Sequence, residues 1–299
     1  MGTLKHRILI TGANGLLGQA LVKLFAAEKI EFLATSLGAN RNPDCNANDY
    51  KALDITIESE VNQIIEAYRP TAIIHTAAMT NVDLCEKEQA ACHLLNVKAT
   101  EYLLNAATKV GAHFQLLSTD FVFDGIKGDY AEDDAVNPLS TYAKSKVEAE
   151  NLVLHAEYKN TSIVRTIIVY GKGHNLSRGN IILWGKEQLE QGKELSIVDD
   201  QFRAPTYAPD LALGCFLLID KNETGIFHIA GPETVSIFAL LNRVAKFWNL
   251  NEKLIKATKS DSLAQSAQRP PKTGFNLAKA HAKLGYKPKT LEESFLELN

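Results

Sequence analysis

The chain has 299 residues, 45% of them hydrophobic and 22% charged, with a formal net charge of -3. That is enough apolar material for one large domain or two smaller ones, and so mild a charge gives no electrostatic case for nucleic acid or an anionic membrane. No apolar run is long enough to span a bilayer, and residues 1–7 lack the apolar core of a signal peptide, so a cytoplasmic location is expected.

The first half alternates strand and helix. Residues 7–11 read as a buried strand, 16–27 as an amphipathic helix and 32–36 as a second strand. Residues 59–68 place Val61, Ile64, Ile65 and Tyr68 on one helical face, and Pro70 stops that helix. A third strand over 72–76 leads to a long helix over 85–110, ended by Gly111. A strand at 113–118, a helix from Tyr142 to residue 158 and a strand at 162–169 complete this half. Continuous apolar strands separated by helices imply a parallel sheet covered on both faces, hence a doubly wound α/β (Rossmann) architecture.

After Tyr170 the texture changes. A polar, glycine-rich loop covers 171–179, with a helix at 180–191 and a strand at 195–198. A helix at 207–220, a strand at 225–229 and a helix at 236–249 follow. Residues 260–275 read as loop, 276–284 as a short helix, and a terminal helix starts at Leu291. The expected division is a nucleotide-binding domain over 1–170 and a mainly substrate-binding, smaller lobe over 171–299, with the return of some of its elements to the large sheet left open. The four cysteines (Cys45, Cys85, Cys92, Cys215) lack metal or redox spacing and are expected to be reduced thiols, Cys85 and Cys92 sharing one helical face.

Gly12-x-x-Gly15-x-x-Gly18 lies between the first strand and its helix. Such spacing permits a tight turn, a close approach of backbone to pyrophosphate and close helix packing, with the N–H groups of the helix start facing the phosphates. Gly12, Asn14, Gly15, Leu16 and Leu17 are the candidate cofactor contacts there. The second strand ends Ala34-Thr35-Ser36 without an acid, and Arg41 follows. With Ser36 and Arg41 at the adenosine ribose, the pattern leans to NADPH or dual use over strict NADH. Asp54, beside Ile55, is either an adenine contact or the cap of the next helix.

The chemical end is Tyr142-Ala143-Lys144-Ser145-Lys146, preceded by Ser118 and Thr119 at a strand end. Tyrosine titrates near 10 in isolation, too high for efficient acid–base work at neutral pH. Lys146, one helical turn on, shares its face and would lower the tyrosine pKa through its positive charge. Ser118 or Thr119 would add a hydrogen bond to a substrate oxygen. Lys144 faces elsewhere. A nucleotide cradle, a hydroxyl pair and Tyr-x-x-x-Lys, in that order, describe a nicotinamide-dependent reductase.

With these residues assembled, the chain resembles the extended short-chain dehydrogenase/reductases, and within them the dTDP-4-dehydrorhamnose reductase group. The resemblance is carried by I-L-I-T-G-A-N-G-L-L-G, A-A-M-T-N-V-D-L-C-E (77–86), L-N-V (95–97), S-T-D-F-V-F-D-G (118–125), N-P-L-S-T-Y-A-K-S-K (137–146), R-T-I-I-V-Y-G (165–171) and D-D-Q-F-R-A-P-T (199–206). It implies Thr119, Tyr142 and Lys146 as the catalytic set, Ala77 and Ala78 beside the nicotinamide, and Asn96 as support. It places Thr80 at both cofactor and sugar. Val82, Asp83, Ser118, Val122, Phe123, Arg203 and Thr206 belong to the sugar-nucleotide pocket, with Arg203 a candidate phosphate contact. The implied reaction is hydride transfer from NAD(P)H to the C4 carbonyl of a nucleotide-linked 4-keto-6-deoxy sugar, with a homodimer as a candidate assembly.

Three departures stand out. Ile167-Ile168 replaces the group's Ser-Trp, which removes an aromatic beside the sugar; the segment after Tyr170 lacks the usual aromatic; and Ala20 replaces a metal-binding Glu, so no metal site is expected. Dehydratases of the superfamily carry Thr-Asp-Glu where this chain has Thr119-Asp120-Phe121, and epimerases favour Ser-Ser. Alternatives are another nucleotide-sugar reductase or epimerase, or a non-catalytic NADP-binding subunit resembling the regulatory subunit of methionine adenosyltransferase.

Overall fold

A computed structural model describes residues 6–177, 179–262 and 266–298; readings that touch 1–5, 178, 263–265 or 299 lie outside the described residues. The first half supplies strands β1 (Arg7–Thr11), β2 (Glu31–Ser36), β3 (Tyr50–Ala52), β4 (Ala72–His75), β5 (His113–Thr119) and β6 (Thr161–Thr166). Its helices are α1 (Leu16–Glu28), α2 (Glu58–Tyr68), α3 (Val82–Lys87), α4 (Gln89–His93), α5 (Ala99–Val110) and α6 (Thr141–His155). The second half adds β7 (Val169–Tyr170), α7 (Ile181–Glu190), β8 (Leu195–Val198), β9 (Phe202–Arg203), β10 (Thr206–Tyr207), α8 (Ala208–Asp220) and β11 (Gly225–His228). It closes with β12 (Val235–Ser236), α9 (Ile237–Phe247), β13 (Ile255–Thr258), β14 (Lys272–Thr273), α10 (Ala278–Leu284) and α11 (Leu291–Glu297).

Seven strands form one parallel sheet in the order β11-β6-β5-β4-β1-β2-β3, the doubly wound arrangement expected from the apolar strands. Apolar clusters cover both faces: Ile8, Ile10, Phe25 and Leu211 on one, Leu9, Ile73, Leu103 and Phe114 on the other. A third core, around Tyr170, Leu240, Leu241 and Phe295, holds the C-terminal helices to the β8–β13 ribbon.

The expected helix over 85–110 is four segments. Glu88 leaves the helical region (φ -118, ψ 56) between α3 and α4, and a π-turn at Leu94–Lys98 precedes α5. Cys85 and Cys92 therefore sit on separate helices, yet both are buried and pack in one cluster with Tyr142. The expected strand over 162–169 stops at Thr166. Ile168 has a φ of 24, a conformation that a β-branched residue rarely adopts and that breaks the pleat, and β7 then pairs with β10 in a separate ribbon.

Candidate active site

The sheet's carboxyl edge is where ligands of open α/β sheets bind, and the candidate residues gather there. Gly12 has a φ of 71, and a Cβ on it would lie 2.7 Å from both the Ala77 nitrogen and the Thr76 hydroxyl. Gly18 presses α1 onto the turn itself, since a Cβ there would overlap the Gly12 carbonyl oxygen and come within 2.5 Å of Ala13 Cα. The turn thus needs glycine for its own closure. Gly15, the N-cap, offers no side-chain cap to α1, so Leu16 and Leu17 open a helix whose first N–H groups suit an anion.

Asn14 braces the neighbouring loop. Its amide donates to Ala39 O (2.9 Å) and Tyr50 Oη (3.3 Å), and its carbonyl oxygen accepts from the Arg41 N–H (2.8 Å). Arg41 is exposed and Ser36 half-buried at the end of β2. Asp54 accepts from the Thr56 N–H and hydroxyl at 2.9 and 2.6 Å, which makes it a brace for the turn into α2; Ile55 beside it is buried.

Ser140 caps α6 by accepting from the Ala143 N–H, which sets Tyr142 in the first turn at the mouth of the site. Thr119 ends β5, and its hydroxyl lies 3.1 Å from Asp120 Oδ1 while accepting from the Phe121 N–H. Asn96 projects from the π-turn, a feature frequent at functional sites. It accepts from the Met79 N–H (2.8 Å) and donates to Met79 O and Ser145 Oγ, tying the Ala77–Thr80 stretch to α6. Ala77 and Ala78 are half-buried and Thr80 is exposed beside them. The Ser118 hydroxyl is buried without a hydrogen-bond partner among the described residues.

Burial works against the expected lowering of the Tyr142 pKa by Lys146. Burial pushes the phenol well above its usual range, with the Thr119 side chain opposing that shift. The Lys146 ammonium, 2% exposed, is pushed down to about 8 by burial, with Glu150 opposing. Among the described residues it meets no hydrogen-bond or ion-pair partner. A buried ammonium without a counter-ion is costly unless a ligand satisfies it. Together with the glycine turn and the uncapped α1, it fits a dinucleotide whose ribose hydroxyls it could bind.

Four substrate-pocket expectations are corrected. Val122 and Phe123 are wholly buried, Phe123 stacking on Tyr130 at 4.0 Å beneath Arg165, so neither reaches a ligand. Thr206 is also fully buried and donates to Ile167 O at 2.6 Å. Arg203, 1% exposed, is not placed to bind phosphate. It donates to Phe202 O, Pro271 O and Pro270 O, and its Nε lies 3.8 Å from Asp120 Oδ2. Burial raises the Asp120 pKa and Arg203 opposes this.

Val82 packs half-buried against the Tyr142 cluster. Asp83 is bound to a segment read from the sequence only as polar loop. It accepts from Arg269 Nη2 at 2.6 Å and from the Ala267 N–H and Ser266 hydroxyl, contacts led by Arg269 that hold its pKa at about 2. Thr273 donates to Asp120, and β14 pairs with β9. Residues 266–273 thus form a strap across the site. Arg269 and Thr273 escaped the sequence reading, where the only signal was polarity and Arg269-Pro270-Pro271 in an otherwise unassigned loop; Asp120, read there only as part of S-T-D-F-V-F-D-G, gained its partners from the fold.

Two shallow clefts elsewhere, beside Tyr68 and beside Leu152, contain none of these residues. Among the described residues, no group of three or more His, Cys, Asp or Glu could hold a metal, and no helix is long and apolar enough to cross a membrane.

Residues 6–298 match the family described as RmlD substrate binding domain. The chain is 34% identical over 295 residues to a dTDP-4-dehydrorhamnose reductase of Aggregatibacter actinomycetemcomitans, covering 94% of each chain. It is also 34% identical over 251 residues to methionine adenosyltransferase 2 subunit beta of Xenopus tropicalis, covering 82% of this chain and 73% of that protein. The dTDP-4-dehydrorhamnose reductase of Bacillus anthracis, solved in complex with NADP, superposes with a TM-score of 0.85 at 28% identity, covering 98% of this chain and all of that one. The glycine turn, the Thr119–Tyr142–Lys146 set and these similarities over nearly the whole length agree, and the chain belongs to the RmlD substrate binding domain family, in the dTDP-4-dehydrorhamnose reductase group of the extended short-chain dehydrogenase/reductases.

Proposed function

We propose that the protein is an NAD(P)H-dependent reductase of the C4 carbonyl in a nucleotide-linked 4-keto-6-deoxy sugar, with dTDP-4-dehydrorhamnose as the first substrate to test. The observation that carries this reading is the convergence of Thr119, Tyr142 and an unpartnered, buried Lys146 at the carboxyl edge of the sheet. The turn at Gly12–Gly18 and the start of α1 would hold the dinucleotide phosphates, and Lys146 its ribose. A reduced nicotinamide, when bound, supplies the hydride.

Burial keeps the Tyr142 phenol protonated at neutral pH, the state that a proton donor to a carbonyl oxygen must start from. As the proton leaves, negative charge grows on the phenolic oxygen. The Thr119 hydroxyl and the Lys146 ammonium stabilise that charge in a site where burial makes each interaction stronger than in water. Asn96 fixes the Ala77–Thr80 floor against α6 through Met79 and Ser145, and the strap held at Asp83, Asp120 and Arg203 would cover the sugar side. With Phe121 following Asp120, the acid that elimination chemistry would use is missing, which favours simple reduction.

The test is NADPH and NADH oxidation with dTDP-4-dehydrorhamnose made in situ. Turnover that falls at least about a hundredfold in Tyr142→Phe, with cofactor binding retained, supports the reading; undiminished turnover removes Tyr142 from the chemistry. The similarity to methionine adenosyltransferase 2 subunit beta favours a second reading, a cofactor-binding partner subunit. Tight NADPH binding without oxidation of any keto-sugar would favour it.

A further inference from the structure

Behind the Lys146 side chain lies a fully buried ion pair that the mechanism above does not use. Glu150 stands four residues after Lys146 on α6, and the two share a helical face. Arg165, in β6, grips both Glu150 oxygens: Nε donates to Oε1 at 2.9 Å and Nη2 to Oε2 at 2.7 Å, with both side chains 3% exposed. Arg165 is itself fixed, since Nη1 donates to Glu132 O at 3.3 Å and the guanidinium lies 5.1 Å from the Phe123 ring centre. An unengaged carboxylate one turn from a buried ammonium would draw it into a direct pair. No such pair forms here.

We propose that Glu150 and Arg165 are positioning residues for Lys146: Arg165 occupies both carboxylate oxygens, so Glu150 sustains the lysine's charge from one turn away without capturing its ammonium. The ammonium stays available to a ligand. This rests on the assignment of Lys146 to the reductase site. The other groups that act on or face Lys146 are Tyr142 on its own helix, the Cys92 thiol from α4 and His75 from β4. His75 is held neutral near neutral pH by burial, its pKa pushed down to about 3. None of them forms the direct carboxylate contact that Arg165 prevents.

The two members of the pair act on Lys146 with opposite sign, and a purely structural role would not. The experiment is an NMR titration of the lysine Cε signal that disappears in Lys146→Met, on protein without cofactor. Glu150→Gln removes the negative charge and leaves Arg165, so the Lys146 midpoint falls by about one unit or more; Arg165→Gln releases the carboxylate, so it rises by a similar amount. The upper pH limit of NADPH binding moves in the same directions. Should either single variant fail to fold, Glu150→Met/Arg165→Met replaces the pair by apolar side chains, which buried pairs often tolerate. Its midpoint falls, but by less than in Glu150→Gln, because the nearer carboxylate dominates. Midpoints that do not move, or that move the same way in both single variants, overturn the proposal, as does an unmoved or raised midpoint in the double variant. If the wild-type protein reduces no keto-sugar, the reductase reading fails, while the midpoints still decide the role of the pair.

Discussion

The cofactor end and the sugar end are built on different principles. The cradle is a contiguous stretch, Gly12 to Gly18, whose closing contacts lie within seven residues or just past the neighbouring strand β4, at Thr76 and Ala77. The sugar end is assembled across the chain: Asp83 meets Arg269 over 186 positions, Asp120 meets Thr273 over 153, and Arg203 meets Pro270 over 67. Contacts of short range are fixed by local conformation, whereas distant ones need the whole fold to be in place.

That contrast can be broken most severely at Arg203. Arg203→Met leaves the buried Asp120 without its counter-charge, held only by the Thr119 and Thr273 hydroxyls, and about 3–5 kcal/mol of stability should be lost, read as a lower urea midpoint. A loss below about 1 kcal/mol would mean that the strap is not held by this clamp. Gly18→Ala attacks the other end. The added methyl must displace backbone of the turn, with an expected loss of about 1–3 kcal/mol and weaker NADPH binding in a fluorescence titration. Unchanged affinity would show that the turn tolerates a side chain.

Acid should strain both ends alike. His75 sits behind the cradle, its Nδ1 2.8 Å from Thr11 Oγ1, and His228 lies under the sugar end, stacked on Phe275. Burial is the largest influence on each and pushes both down to about 3. Because the unfolded chain takes up protons at its histidines near pH 6.5 and the folded one does not, stability present above that pH is lost as pH falls toward 3. At pH 5 the expected loss is roughly 2 kcal/mol per histidine, checked by urea unfolding of His75→Asn and His228→Asn across pH 7 to 5. An equal pH slope in the variants would remove the histidines as its cause.

The smallest expected effect separates the ends most cleanly. Asp83→Asn weakens one latch of the strap and should raise the KM for the keto-sugar nucleotide about three- to tenfold, the range of an interaction near 1 kcal/mol. Its Kd for NADPH should not change. A parallel rise in both would erase the distinction between the two ends.

The sequence by itself determined the parallel sheet, because continuous apolar strands between amphipathic helices have few other ways to bury their faces. It also determined the cradle and the Tyr142–Lys146 unit, since turn closure and helical spacing are local. Glu88 and Ile168 were not legible as breaks: neither is a helix or strand terminator by type, and each departs from regular geometry under tertiary packing. Whether an arginine binds a ligand or a loop is likewise invisible in one dimension. Only the tertiary structure decided that Arg203 holds Pro270, Pro271 and Asp120, that Asp83 latches Arg269, and that Val122, Phe123 and Thr206 belong to the core. The physical reason is that burial and long-range hydrogen-bond partners set what a polar side chain has left to offer, and both are properties of the packed chain.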